Sequence, residues 1–228
     1  MSPPVSKALE ICVVAPHCDD EVLGCGGTIA RHVAQGDHVT VCVMANRAYG
    51  HEYDKAAIAA ELADCQAAQG ALGYKNLIFL NHPDERLDQN QVALIADMEK
   101  ILAAANPGVV YIPWRGDSHQ DHRAVFDAAM VAFRPLGPNA PQQLLAYESG
   151  SSSPLYGPFC PNFYVDIGAH LETKIAALEC YKREARSWPH PRSPEGVEAL
   201  ARRRGSECGL DAAEAFMVIR QVVRVDAR

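Results

Sequence analysis

No apolar run in the 228-residue sequence approaches the ~18 residues of a membrane span. No Cys-x-x-Cys pair occurs, so neither a cysteine zinc cluster nor a thioredoxin-type redox site is indicated. There is no internal repeat and no low-complexity tract. Positive charge is short: 21 Lys+Arg stand against 28 Asp+Glu, a net charge of -7. Such a surface repels phosphate backbones, and nucleic acid is not an expected partner. The opening Met1-Ser2-Pro3-Pro4 lacks the charged-then-apolar pattern of a secretion signal. These shortages lead us to expect a cytoplasmic chain with no membrane span.

What is present is ordinary for a globular chain. Apolar residues make up 48% and charged residues 21%, which excludes disorder, collagen and coiled coil. The 8 cysteines are spread through the chain. Cys12 and Cys42 lie inside apolar runs, where a reduced thiol acts as a small hydrophobe.

Short β-branched runs alternate with amphipathic stretches along the first two thirds. Strands are expected at 11–15, 38–45, 76–80 and 109–112, and helices at about 21–34, 56–72, 91–105 and 121–133. That βαβα rhythm implies an α/β protein with a mostly parallel sheet and helices on both faces. After Arg134, Pro and Gly become frequent and the C-terminal third reads as irregular. Strands are expected there at 144–148, 163–166 and 216–225, and helices at 171–182 and 194–204. The loop 149–161 is long enough to be a binding loop. One domain spanning 1–228 is the simplest account, with a sheet core at about 8–134 and a C-terminal extension at about 135–228.

Two clusters fall at expected strand ends. Pro16-His17-Cys18-Asp19-Asp20-Glu21 follows the first strand, and Asp117-Ser118-His119-Gln120-Asp121-His122 follows the fourth. In open α/β sheets ligands collect at the carboxyl ends of the strands. Adjacent carboxylates repel one another, and folding tolerates them best beside a cation. A plain alternative is that the acids cap helices and complement their dipoles. Taken together, His-x-Asp-Asp and His-x-Asp-His favour a divalent metal site over capping. Imidazole plus carboxylate, without thiolate or a cage of oxygens, favours zinc, with iron(II), cobalt or nickel possible in vitro. Two His and one Asp leave a fourth position for water, as in a catalytic site. A leftover carboxylate could then accept a proton and a leftover imidazole donate one.

The run Pro16-His17-x-Asp19-Asp20-Glu21-x-x-Gly24-x-Gly26-Gly27, with His119-x-Asp121-His122 downstream, resembles the PIG-L/LmbE-like de-N-acetylases. Leu72-Gly73, Asp84 and Ala212-Ala213-Glu214-Ala215-Phe216 extend the resemblance along most of the chain. It implies a Rossmann-like sheet and one zinc ion per chain, with Fe2+ or Co2+ as substitutes. The activity implied is removal of the acetyl group from an N-acetylglucosamine-type sugar, a small-molecule substrate, by a chain that could form a homo-oligomer. By position, His17, Asp20 and His122 would hold the metal. Asp19 would be the general base, His119 the oxyanion stabiliser and Asp121 a partner orienting an imidazole. Asp84 would reach a sugar hydroxyl. The chain departs from the pattern at Cys18, where proline is usual, and at Ile58, where arginine is expected.

Other residues have weaker claims. Gly24-Cys25-Gly26-Gly27 fails as a dinucleotide motif because Ile29 stands where the last glycine belongs. Close helix–strand packing explains those glycines better. Arg47, Tyr49, His51 and Tyr53 follow the second strand, with Arg47 the best contact for a substrate phosphate or sugar. Tyr147 and Glu148 could face the pocket. The remaining histidines (His32, His38, His170, His190) read as surface or capping residues, Arg202-Arg203-Arg204 as a solvated helix face, and Trp188 as a packed corner. Two other functions use the same residue types: a metal-dependent phosphoesterase, which normally adds ligands for a second metal, and a non-catalytic carbohydrate- or metal-binding module.

Overall fold

The computed structural model describes residues 8–48, 51, 54–150 and 157–223. Tyr49, Tyr53, residues 151–156 of the long loop expected at 149–161, and the end of the last expected strand lie outside the described residues. In chain order the elements are β1 (Glu10–Ala15), α1 (Asp20–Ala34), β2 (His38–Asn46), α2 (Lys55–Leu72) and β3 (Asn76–Pro83). Then come α3 (Gln91–Ala105), β4 (Val109–Pro113), α4 (Gln120–Ala132), β5 (Gln143–Tyr147) and β6 (Phe163–Asp166), followed by α5 (Leu171–Leu178), α6 (Pro194–Ser206) and β7 (Ala213–Gln221).

The strands form one sheet in the order β3-β2-β1-β4-β5-β7-β6. The first five run parallel, while β7 is antiparallel to both β5 and β6. The C-terminal third, for all its loops, thus completes the sheet begun by the first two thirds. Alternation along a strand sends side chains to opposite faces, and β1 shows it plainly. Ile11, Val13 and Ala15 join a core that includes α1, α2 and α5, whereas Cys12 and Val14 join one formed with α3 and α4. All eight cysteines are unpaired, and Cys12, Cys18, Cys25, Cys42 and Cys65 are buried. Among the described residues no helix is long and apolar enough to cross a membrane.

Several expectations needed adjustment. His32, expected as a surface or capping residue, is buried between Asp37 Oδ2 at 2.7 Å and the Tyr111 hydroxyl at 3.0 Å. α5 ends at Leu178 rather than 182 because its chain tightens into i→i+3 bonds, Cys180 N–H to Ala177 and Tyr181 N–H to Leu178. That turn drives Tyr181 into the core, where its hydroxyl donates to Glu21. Trp188 is not a packed corner: it is 62% exposed, and its turn is held instead by His190. Arg204 does not face solvent but forms a bidentate pair with Glu148 at 2.6 and 2.8 Å.

β1 lies between β2 and β4, paired in register with both. This is the point where strand order reverses, so the segments leaving β1 and β4 diverge over a crevice. Both sequence clusters sit in those two segments.

Candidate active site

Asp19 occupies the N-cap position of α1 with φ 94, yet its side chain makes no cap bond. Its backbone N–H donates to Glu21 Oε2 at 3.1 Å, and its carboxylate faces Arg192 and Arg47 instead of the helix. Capping therefore does not account for this acid. At α4 the N-cap is a histidine: His119 Nδ1 accepts the Asp121 N–H at 3.2 Å. That bond makes Nδ1 the unprotonated nitrogen and Nε2 the donor of a neutral ring. Asp117 Oδ1 supports the turn by accepting the His119 N–H at 2.7 Å.

The two segments converge. Asp20 Oδ2 lies 3.3 Å from His17 Nδ1 and 3.2 Å from His122 Nε2. The opposite nitrogen of each ring faces carboxylates. His17 Nε2 is 2.8 Å from Asp84 Oδ1 and 3.1 Å from Asp121 Oδ2, and His122 Nδ1 is 2.9 Å from Asp117 Oδ2. Backing of this kind fixes tautomers so that the inner nitrogens present lone pairs to a common point. The donor set, one carboxylate oxygen and two imidazole nitrogens, suits a borderline divalent ion such as zinc. Ligand atoms of His17, His119 and His122 also lie within 4.8 Å of one another, as do those of His17, Asp84 and Asp121. The second group is already engaged: Asp121 accepts the N–H groups of Glu85 and Leu87, and Asp84 those of Ala48 and Glu85. It braces His17 from behind.

The electrostatics agree with a cation seat. Burial alone lowers the pKa of a histidine, but Asp121, Asp20 and Asp84 hold His17 well above its ordinary value. Against the same burial penalty, Asp20 and Asp117 bring His122 up to about 9. Burial would raise Asp20, yet the two imidazoles hold it well below the carboxylate range. Protons on those rings occupy directions that a metal ion would take. Burial, helped by Asp20, pushes Asp19 up to about 6 against the pull of Arg47 and Arg192. Burial, then the charges of His17 and His122, lowers His119, in keeping with a neutral ring.

His17, Asp19, Asp20, Ser118, His119, His122, Arg47 and Arg192 line a pocket of about 160 Å³. Of the residues picked from sequence, Asp84 and Asp121 lie behind it, and Asp84 is turned to His17 rather than to open space. Tyr147 is fully buried, its hydroxyl donating to Val14 and its ring packed where a Cβ on Gly24 would stand 2.2 Å away. The glycine cluster thus serves close packing. Glu148 faces Arg204, away from the pocket. Sequence reasoning missed Asp117 as the support of His122, and it missed Glu184 and Arg192. Asp117 was within reach of inspection, being inside the second cluster. Nothing local marks the other two.

A family model described as PIG-L, GlcNAc-PI de-N-acetylase, matches residues 12–133. A protein of Escherichia coli described as an uncharacterised deacetylase is 30% identical over 183 residues, 78% of this chain and 92% of that one. A conserved protein of Thermus thermophilus has a similar structure, with a TM-score of 0.76, 28% identity, and coverage of 96% of this chain and 99% of the other. The N,N'-diacetylchitobiose deacetylase of Pyrococcus horikoshii shares the fold at a TM-score of 0.76 and 24% identity, covering 96% and 86%.

Proposed function

Because the chain belongs to the PIG-L (GlcNAc-PI de-N-acetylase) family, we propose that it is a metal-dependent hydrolase of N-acetylated amino sugars or their conjugates. The observation that carries this is Asp20 Oδ2 standing within 3.3 Å of His17 Nδ1 and 3.2 Å of His122 Nε2, each ring backed by acids. The substrate is a small molecule, and the chain acts in the cytoplasm.

His17, Asp20 and His122 would hold one divalent ion, and a donor set of two imidazoles and one carboxylate suits zinc. When bound, the ion supplies Lewis-acid polarisation of the amide carbonyl and makes the attacking water more acidic. Asp19 takes the proton of that water. Burial raises this carboxylate above its ordinary range, which makes it a better proton acceptor. His119 donates its Nε2–H to the developing oxyanion, its tautomer fixed by the Asp121 N–H. As the C–N bond breaks, Asp19 returns the proton to the amine, and the products are acetate and the free amino sugar. Asp121 and Asp84 orient His17, Asp117 orients His122, and Arg47 forms the facing wall. The described residues supply no second set of free ligands, so a two-metal phosphoesterase is disfavoured.

The test is acetate release from free, nucleotide-linked and lipid-linked N-acetyl amino sugars, with metal quantified on the same samples. Wild type should release acetate from at least one class. Asp19→Asn should keep its metal while turnover falls by roughly 10²–10⁴-fold, the usual value of a general base. Metal-replete wild type that releases no acetate from any class refutes the proposal.

A further inference from the structure

The pocket wall facing the metal donors is built partly by the turn between α5 and α6. Arg192 Nη1 lies 3.0 Å from Asp19 Oδ2 and 3.0 Å from Glu184 Oε2. From the other side, Arg47 places Nη1 3.7 Å from Asp19 Oδ1 and Nη2 3.3 Å from Glu184 Oε2. The four side chains close a ring: Asp19, Arg192, Glu184, Arg47. Asp19 and Glu184 are both buried. We propose that Arg192 and Glu184 are positioning residues that hold Asp19 in its working orientation, an inference resting on the assignment of Asp19 as the base.

Asp19 needs such support. It sits at φ 94 and is free of the cap bond that would fix its carboxylate at that position. Without outside contacts it could turn back toward the first N–H groups of α1, as N-terminal acids commonly do. Arg192 and Arg47 address its two oxygens separately, and Glu184 fixes the guanidiniums in turn. Arg186 adds a third guanidinium to Glu184 at 3.3 Å.

The turn that delivers Arg192 is itself pinned. His190 Nδ1 accepts the Arg192 N–H at 3.1 Å, and the Ser193 N–H bonds to the His190 carbonyl at 2.9 Å. Ser193 Oγ then caps α6 by accepting the Gly196 N–H at 3.0 Å. A Cβ on Gly196 would stand 2.8 Å from the His190 oxygen and 2.9 Å from that of Pro191, so the turn lies directly on the helix.

The same ring argues against the arginines as anion hooks. Both guanidiniums already face carboxylates, and a substrate phosphate or carboxylate would compete with these and add a further negative charge beside two buried acids. The loss of Arg192 should therefore be felt in chemistry and not in recognition of substrate charge.

The test uses metal-loaded wild type, Arg192→Gln, Arg192→Lys and Glu184→Gln, each checked for metal content and cooperative unfolding. Kinetics are taken on the sugar returned by the acetate screen, in uncharged and phosphorylated forms. Arg192→Gln and Glu184→Gln should lower kcat by about 10–100-fold, the scale of a misplaced reacting group, with KM nearly unchanged and metal retained. Both substrate forms should lose equally, and Arg192→Lys should recover much of the rate. Unchanged kcat, or a raised KM confined to the phosphorylated form, overturns the inference while leaving the hydrolase intact. Wild type that releases no acetate refutes the hydrolase itself and the inference with it.

Discussion

Lys174 and Glu214 form a buried ion pair against the middle of α1, and cutting it should be costly. Nζ lies 2.5 Å from Glu214 Oε1 and donates to the Leu23 carbonyl at 2.8 Å. Glu214 also accepts the Gly27 N–H at 2.9 Å and the Thr28 N–H at 2.7 Å. The pair therefore ties β7 and α5 to the helix whose N-terminus carries Asp19 and Asp20. Lys174→Met leaves a buried carboxylate with two N–H donors but no countercharge. Glu214→Gln leaves a buried ammonium facing an amide. Removing one partner of such a pair typically costs about 3–5 kcal/mol. At roughly 2–4 °C per kcal/mol for a chain of this size, each single variant should melt about 6–20 °C lower. The double variant removes both charges, so its loss should fall short of the sum of the singles by about 2 kcal/mol. Urea and thermal unfolding of the four proteins give the complete cycle. Single losses under about 1 kcal/mol, or a double variant that loses the full sum, would refute the assignment of a coupled buried pair.

Four further outcomes follow from the same geometry. Asp117→Asn should weaken metal binding by about 10–100-fold, the usual cost of losing an outer partner of a ligating histidine, read by chelator competition, and His122→Ala should abolish binding. Metal affinity should rise with pH. His17 is held above its ordinary pKa and His122 at about 9, so below that range the ion must displace protons, and each displaced proton adds about tenfold per pH unit. Competition titrations between pH 6 and 8 check the slope, and a flat profile would count against these ligands. Chelation should lower the melting temperature by several degrees, since an ion at 100 times its Kd contributes about 2.7 kcal/mol. Gly24→Ala should cost about 1–3 kcal/mol despite its helix-propensity gain. Its methyl would meet the fully buried Tyr147 ring at 2.2 Å, and a melting curve decides.

Much of this was written locally in the chain. β1 and β4 are short apolar runs, and the polar clusters that follow them had to meet once the two strands paired at the point where strand order reverses. α2 stops at Gly73, whose φ of 80 closes the helix as its sequence position suggests. What could not be read depends on partners far along the chain. α5 ends early in a turn that carries Tyr181 to Glu21, 160 positions away. Arg192 meets Asp19 across 173 positions, from a proline-rich turn with no motif. Arg204 looks like part of a solvated basic run until Glu148 is seen beside it. The same distance effect decides Asp84, whose place behind His17 is set by the pairing of β2 with β3.

An anomalous-scattering map from crystals grown with zinc tests the central claim most directly. It should show a single strong peak within coordination distance of His17 Nδ1, Asp20 Oδ2 and His122 Nε2, with Asp19 beside it but not bound. A peak on the far side of His17, between Asp84 and Asp121, or no peak at all in a protein that still releases acetate, would contradict the account.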